Sequence, residues 1–150
     1  MFSKKVDRLW IDARHEYDAI RNFVQRFSPE QTSRIHFYDK EESLFDHLGV
    51  EQEITRAMSR KVWLKSGGYL VIDHTEAMTV IDVNTGRFVG KRDQEETILR
   101  NNLEAAKEVA YQLKLRGIGG IIIVDFIDME REKNRDKVYH ALVDAMASDK

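Results

Sequence analysis

The chain contains no cysteine, a single proline and no long apolar run. The absence of cysteine excludes a disulfide framework and thiolate metal sites, and it fits a reducing compartment, so we expect a cytoplasmic protein. No apolar stretch approaches the ~18 residues that a membrane span requires. The basic residues at the start are not followed by the apolar segment of a signal peptide. We therefore expect neither a membrane span nor a secretion signal.

The chain also lacks a clear excess of either charge, with 24 Lys and Arg against 26 Asp and Glu and a net charge of −2. Nucleic-acid-binding domains usually show a basic excess. Three possibilities stay open: the partner is not a polyanion, local charges or metal ions bind it, or the binding surface lies partly outside this chain. The length of 150 residues and the 42% hydrophobic share allow a folded domain with a real core.

The first part of the chain predicts alternating strands and helices. Short strands are predicted at Arg8–Asp12 and Arg34–Tyr38, on either side of a helix with an apolar stripe. Two short helices, broken near Gly49, are predicted within Ser43–Ser59. A change from a helical to a strand pattern near Ala57–Lys61 predicts a boundary there.

The second part of the chain predicts a sheet with helices. A strand, a turn at Gly67–Gly68 and a hairpin over Tyr69–Val83 come first. Asp93 is expected to open the longest helix, which keeps its apolar period to about Arg116. The run "GGIIIVDFID" predicts a fully buried strand, and Glu130–Ala147 predicts a final helix. This order favours α/β layering.

Two of the predicted strands end in a carboxylate, Asp82 in "VIDVN" and Asp125 in "IIIVDF". If these strands are neighbours, the two side chains lie side by side and repel each other unless they share a proton or a cation. Two carboxylates with open positions for water suit Mg²⁺ or Mn²⁺. Asn84 is placed to orient Asp82 or to contact a substrate oxygen. This arrangement suits metal-assisted hydrolysis of a phosphodiester.

Each of these aspartates has a simpler interpretation, because a strand-end Asp commonly caps the next turn. Asp73 also ends a strand and competes for the same role, but it is expected at the opposite edge of the sheet. Asp128 is expected to start the last helix. A loop cluster either holds phosphates or is simply solvated; its basic residues are Arg87, Lys91 and Arg92.

The remaining candidate residues, which are aromatic residues, histidines and a glycine-rich segment, give weaker indications of function. Trp63 and Tyr69 can stack on nucleobases, but strand aromatics usually belong to the core, and we expect the core here. The five histidines show no metal-ligand spacing. The glycine-rich segment "RGIGG" precedes a strand, whereas a dinucleotide-binding loop follows one, so it is not a phosphate loop.

Two long blocks of the sequence carry a family resemblance. They are "RKVWLKSGGYLVIDHTEAMTVIDVNTGRFVG" from Arg60 and "EETILRNNLEAAKEVAYQLKLRGIGGIIIVDFIDM" up to Met129. Both closely resemble the ribonuclease E/G family of bacterial endoribonucleases. The part before Arg60 is similar more loosely, through "RIHFYDKEESLFDHLGVEQEI", and the "NTGRFVG" loop resembles the ribonuclease G branch.

The resemblance implies an activity and a site. The family cuts single-stranded, often A/U-rich RNA with Mg²⁺, for which Mn²⁺ can substitute, and it leaves 5′-phosphate and 3′-hydroxyl ends. It processes ribosomal and transfer RNA precursors and degrades messenger RNA. Its metal ligands fall on Asp82 and Asp125, and its supporting asparagine falls on Asn84, so these three are the expected catalytic residues. Asp128 matches the second Asp of the family's "DFIDM" block.

The resemblance also implies an organisation. Residues 1–57 correspond to part of a ribonuclease-H-like subdomain. Residues 58–150 correspond to a deoxyribonuclease-I-like catalytic subdomain, a mixed sheet with flanking helices, incomplete at its C-terminal end. Full-length family members form homo-oligomers and share zinc through cysteines, and no zinc site is expected here. Two other hypotheses stay open: a non-catalytic RNA-binding or assembly module, and a Mg²⁺-dependent phosphatase that acts on small molecules.

Overall fold

The computed structural model describes residues 6–86 and 94–147, which form two compact units, Met1–Ile54 and Thr55–Lys150. The boundary predicted near Ala57–Lys61 lies a few residues further along, between the end of a helix at Met58 and the start of a strand at Lys61. The assignment of the two parts to named subdomains stays a prediction. Among the described residues, no helix combines the length and the apolarity that crossing a bilayer requires.

The first unit pairs two short strands in parallel beside a helix. Its elements are β1 (Leu9–Ile11), α1 (Arg14–Phe27), a 3₁₀ helix (Pro29–Arg34), β2 (Ile35–Phe37), α2 (Leu44–His47) and the start of α3 (Val50–Met58). The break between α2 and α3 falls at Gly49, as predicted, because that residue adopts a φ of 71° that a side chain disfavours. The stripe of α1 is only partly covered, since Phe23 and Phe27 remain exposed.

The second unit is a four-stranded mixed sheet with two helices, which confirms the predicted α/β class. Its elements are β3 (Lys61–Trp63), β4 (Tyr69–His74), β5 (Met78–Asn84), α4 (Gln94–Arg116), β6 (Ile121–Asp125) and α5 (Glu132–Met146). The strands lie in sequence order. The first three are antiparallel, whereas β5 and β6 are parallel because α4 carries the chain back across the sheet.

The start of α4 is described from Gln94, so Asp93 and its predicted capping role lie outside the described residues. The helix ends at Arg116, as predicted, and Gly117 follows in the left-handed region with a φ of 63°. Arg116 also donates hydrogen bonds to the backbone oxygens of Arg56 and Ser59. These bonds tie the end of α4 to the segment that enters β3.

One face of the sheet is buried and the other is open. The buried face packs on α4 and α5; its core members are Val62, Leu64, Leu70, Ile72, Ile81, Val83, Ala105, Val109 and Leu113. On the open face, Ile121 is 62% exposed and Ile123 is 47% exposed. The prediction of a fully buried β6 is therefore wrong. Only alternate residues of β6, such as Val124, pack against the core, because successive side chains of a strand point to opposite faces.

Candidate active site

The parallel pairing of β5 with β6 places Asp82 directly opposite Asp125. Both side chains are exposed, whereas Ile81 and Val83 on either side of Asp82 are buried. The alternation therefore puts both carboxylates on the open face of the sheet. The sequence-based expectation that these two aspartates are neighbours at one sheet edge is confirmed.

Asn84 supports this pair. Its amide Nδ2 donates a hydrogen bond of 2.8 Å to Oδ2 of Asp82. Asn84 and Asp82 are two positions apart on β5, so their side chains emerge on the same face. The amide holds one carboxylate oxygen and leaves the other oxygen of Asp82 without this constraint. The structure thus brings all three expected site residues together.

The competing carboxylates have other surroundings. Asp73 accepts hydrogen bonds from Nε and Nη2 of Arg60 at 2.5 and 2.6 Å, and these bonds lower the pKa of the Asp73 carboxyl. It pairs with Val80 toward the hairpin turn, away from Asn84. Asp128 was expected to start the last helix, and this is wrong. The N-cap of α5 is Arg131.

A carboxylate on α4 holds the segment that leads into α5. Glu95 accepts hydrogen bonds from the backbone N–H groups of Glu130 and Arg131 and from the side chain of Asn134. The two backbone donors lie just before α5, and the side-chain donor lies in its first turn. The bond from Asn134 contributes most to lowering the pKa of Glu95. A side chain distant in sequence therefore holds the segment that leads into α5, where Asp128 was expected to act as a local cap.

Buried polar residues on α4, which were not predicted from the sequence, hold the segments at this edge of the sheet. Asn102 is fully buried. Its Nδ2 donates a hydrogen bond of 2.8 Å to the backbone oxygen of Ile127, and its Oδ1 accepts one of 3.2 Å from the backbone nitrogen of Ile127. Asn101 accepts a bond of 2.8 Å from the hydroxyl of Ser66. A signal for both existed, because two asparagines lie next to the apolar stripe of the helix.

Glu104 fixes the turn between β3 and β4. Its carboxylate accepts hydrogen bonds from the backbone nitrogens of Lys65 and Ser66 at 2.5 and 2.9 Å. Burial acts to raise the pKa of Glu104, but the hydrogen bonds from Ser66 and Lys65 outweigh it and hold that pKa below its usual value. Next in this turn, a side chain at Gly68 would overlap Asn101 and the backbone oxygen of Asn84. The turn therefore packs closely on the strand end that carries Asn84.

Acidification is expected to destabilise the second unit, because the pKa values of Glu95, Glu104 and Asp73 are all lowered in the folded state. Such a carboxylate stabilises the fold above its unfolded pKa of about 4, and this contribution is lost as the pH falls through the folded pKa. Urea unfolding at a series of pH values should show a free energy of unfolding that declines below about pH 4.5. The double variant Glu95→Gln/Glu104→Gln should decline less steeply, and an unchanged slope would contradict this account.

Larger metal-ligand clusters are absent from the part of the chain that the structure describes. No group of three or more His, Cys, Asp or Glu side chains is placed there to hold a metal ion. The pair formed by Asp82 and Asp125 has two carboxylates and is therefore smaller than such a cluster. The basic residues predicted as possible phosphate ligands, Arg87, Lys91 and Arg92, lie outside the described residues.

Comparison with known proteins gives a consistent match. The model of the Ribonuclease E/G family matches residues 1–150. Ribonuclease G of Escherichia coli strain K12 is 49% identical over 146 residues, which is 97% of this chain and 30% of that protein. The chloroplastic Ribonuclease E/G-like protein of Arabidopsis thaliana is 40% identical over 99% of this chain and 15% of its own length.

Ribonuclease E of Haemophilus influenzae is 38% identical over 98% of this chain and 16% of its own length. The higher identity to ribonuclease G agrees with the predicted likeness to that branch. The chain spans less than a third of each of these relatives. Because the family model covers every residue, the chain belongs to the ribonuclease E/G family.

Proposed function

We propose that this chain carries the catalytic centre of a Mg²⁺-dependent endoribonuclease that hydrolyses phosphodiester bonds in single-stranded RNA. The products are 5′-phosphate and 3′-hydroxyl ends, and the substrates are ribosomal and transfer RNA precursors and messenger RNA in the cytoplasm. The observation that carries the proposal is the pairing of Asp82 with Asp125 on the open face of the sheet. The relatives named ribonuclease G and ribonuclease E support the same activity.

The residues present fit a magnesium ion. Asp82 and Asp125 offer hard oxygen ligands on one face, and both are exposed, so water reaches the remaining positions. Mg²⁺ is usually bound by one or two carboxylates and keeps several waters. Two adjacent carboxylates also repel each other in the absence of a cation. A bound Mg²⁺ supplies Lewis-acid polarisation of the phosphate and lowers the pKa of a coordinated water.

The protein's own groups set the geometry of this centre. The backbone hydrogen bonds between β5 and β6 fix the separation of Asp82 and Asp125. Residues on paired strands are held more precisely than residues on loops. The bond from Asn84 holds the orientation of the Asp82 carboxylate. The open face leaves space for a single strand of RNA to lie across the sheet. These features orient the ligands before substrate arrives, as preorganised electrostatic catalysis requires.

We also propose that the two compact units correspond to part of a ribonuclease-H-like subdomain and to a deoxyribonuclease-I-like subdomain, and that the complete enzyme is a homo-oligomer. The mixed sheet of the second unit, with both helices on one face, supports the second assignment.

Crystals soaked in Mn²⁺ test the proposed centre. We expect an anomalous difference peak within coordination distance of carboxylate oxygens from both Asp82 and Asp125, because Mn²⁺ takes the same hard oxygen ligands as Mg²⁺. The same soak with the Asp125→Asn variant is the control and should weaken the peak. No peak in the unsubstituted protein would favour the alternative, a non-catalytic RNA-binding or assembly module.

A further inference from the structure

The open face of the sheet arranges its side chains in two rows that cross the strands. The pairing registers place Lys61, Val71, Asp82 and Asp125 in one row. The next row contains Trp63, Tyr69 and Asn84. Neighbouring strands are about 4.8 Å apart, so Trp63 lies roughly two strand spacings, about 10 Å, from Asn84. An aromatic pair and a lysine therefore stand beside the proposed metal ligands on the same face.

These three side chains form a defined cluster, which we call the aromatic platform: Lys61, Trp63 and Tyr69. The ring centroids of Trp63 and Tyr69 are 5.3 Å apart with planes inclined at 60°. The ammonium of Lys61 lies 4.0 Å from the Trp63 centroid and 3.5 Å from the Tyr69 centroid. This cation–π contact holds the rings in place.

The platform is open to solvent, although its aromatic residues were expected in the core. Trp63 is 60% exposed, so the core assignment of this residue is wrong. A groove of about 740 Å³ runs from the platform to Asn84 and Thr85. Because Asn84 also bonds Asp82, the groove borders the residue that orients one of the proposed metal ligands.

We propose that the aromatic platform is a nucleobase-stacking subsite, in which a base of single-stranded RNA stacks on the exposed ring of Trp63. The inference rests on the proposed ribonuclease function and names a contact that holds a nucleotide on the same face of the sheet as the cleaved phosphate. Exposed rings accept any base, because every base has a π-face. The Lys61 ammonium supplies the positive charge that an RNA backbone needs, while the carboxylates further along the row repel it in the absence of metal.

The platform gives the chain a way to bind RNA despite its net charge of −2. Stacking adds affinity that depends little on salt, whereas phosphate contacts weaken as salt rises. A subsite of this kind favours unpaired RNA, since bases in a duplex are already stacked on their neighbours. The platform therefore selects single strands without selecting a sequence.

Tryptophan fluorescence provides a direct test that needs no catalysis. The chain has two tryptophans, so the Trp10→Phe variant leaves Trp63 as the only one. Titration with a single-stranded RNA decamer in EDTA should quench Trp63 emission. An abasic decamer with the same number of phosphates should bind at least about 5-fold more weakly and quench less. Equal quenching by both oligonucleotides, or none by either, would overturn the proposal.

Cleavage kinetics provide the second test. Trp63→Ala should raise the KM for single-stranded RNA by about 5-fold or more and change kcat little, and Trp63→Phe should restore most of the loss. Tyr139→Ala is a matched control, because Tyr139 is 64% exposed on α5, behind the opposite face of the sheet. An unchanged KM in Trp63→Ala would refute the subsite but not the metal centre. The opposite result is also distinguishable. If RNA quenches Trp63 emission as expected but the Asp82→Asn variant still cleaves RNA, the metal centre is refuted and the subsite stands.

Discussion

Replacing Asp82 or Asp125 by asparagine is expected to lower the rate of RNA cleavage by at least about 10³-fold. Asparagine has nearly the same size as aspartate but no negative charge, so the pair no longer attracts a divalent cation strongly. The fold should survive, because both side chains are exposed and like-charged neighbours repel each other. Single-turnover cleavage of a labelled single-stranded RNA measures the first effect, and urea unfolding measures the second.

Asp73→Asn is the matched control for this experiment. Asp73 also lies near the end of a strand on the open face, but its carboxylate binds Arg60 and lies toward the hairpin turn. We expect its cleavage rate to stay within about 2-fold of the unsubstituted protein, since an exposed ion pair contributes little. Near-normal cleavage by Asp82→Asn or Asp125→Asn, in an assay where the unsubstituted protein cuts the RNA, would remove both residues from the mechanism.

Local sequence signals account for most of the secondary structure that was predicted correctly. The break at Gly49 and the end of α4 at Gly117 follow from backbone conformations that favour glycine. The β4–β5 hairpin follows from alternating apolar residues between turn residues. The pairing of Asp82 with Asp125 follows from strand order, since one helical crossover brings the ends of two parallel strands to the same edge.

The errors concern contacts between residues that are distant in sequence. The β-branched run of β6 has the composition of a strand buried on both faces, but composition does not tell which faces have a covering layer, and Ile121 is exposed. The same ambiguity misplaced Trp63 in the core. Asp128 has the residue type of a helix cap, but α5 begins at Glu132, and Glu95 of α4 binds the backbone N–H groups of Glu130 and Arg131 just before it. No local pattern contains that information.

Asn102→Ala is expected to lower the free energy of unfolding of the second unit by about 2–4 kcal/mol. Asn102 is fully buried and pairs with both the N–H and the carbonyl of Ile127. Its truncation leaves two backbone groups without partners and opens a cavity in the core. Urea unfolding at pH 7 measures the loss, and hydrogen exchange of the Ile127 amide shows whether the segment after Asp125 opens locally.

Asn101→Ala is the comparison, because Asn101 is the adjacent residue of the same type, equally buried, and makes one described hydrogen bond, to Ser66. If backbone pairing rather than cavity size determines the cost, Asn101→Ala destabilises the fold less than Asn102→Ala and leaves the exchange of Ile127 slow. Asn102→Asp should also be costly, since a carboxylate accepts from the Ile127 N–H but cannot donate to its carbonyl. Equal losses for the two alanine variants would mean that packing alone holds this edge. The segment that follows Asp125 would then owe its position to the sheet, with no specific contribution from α4.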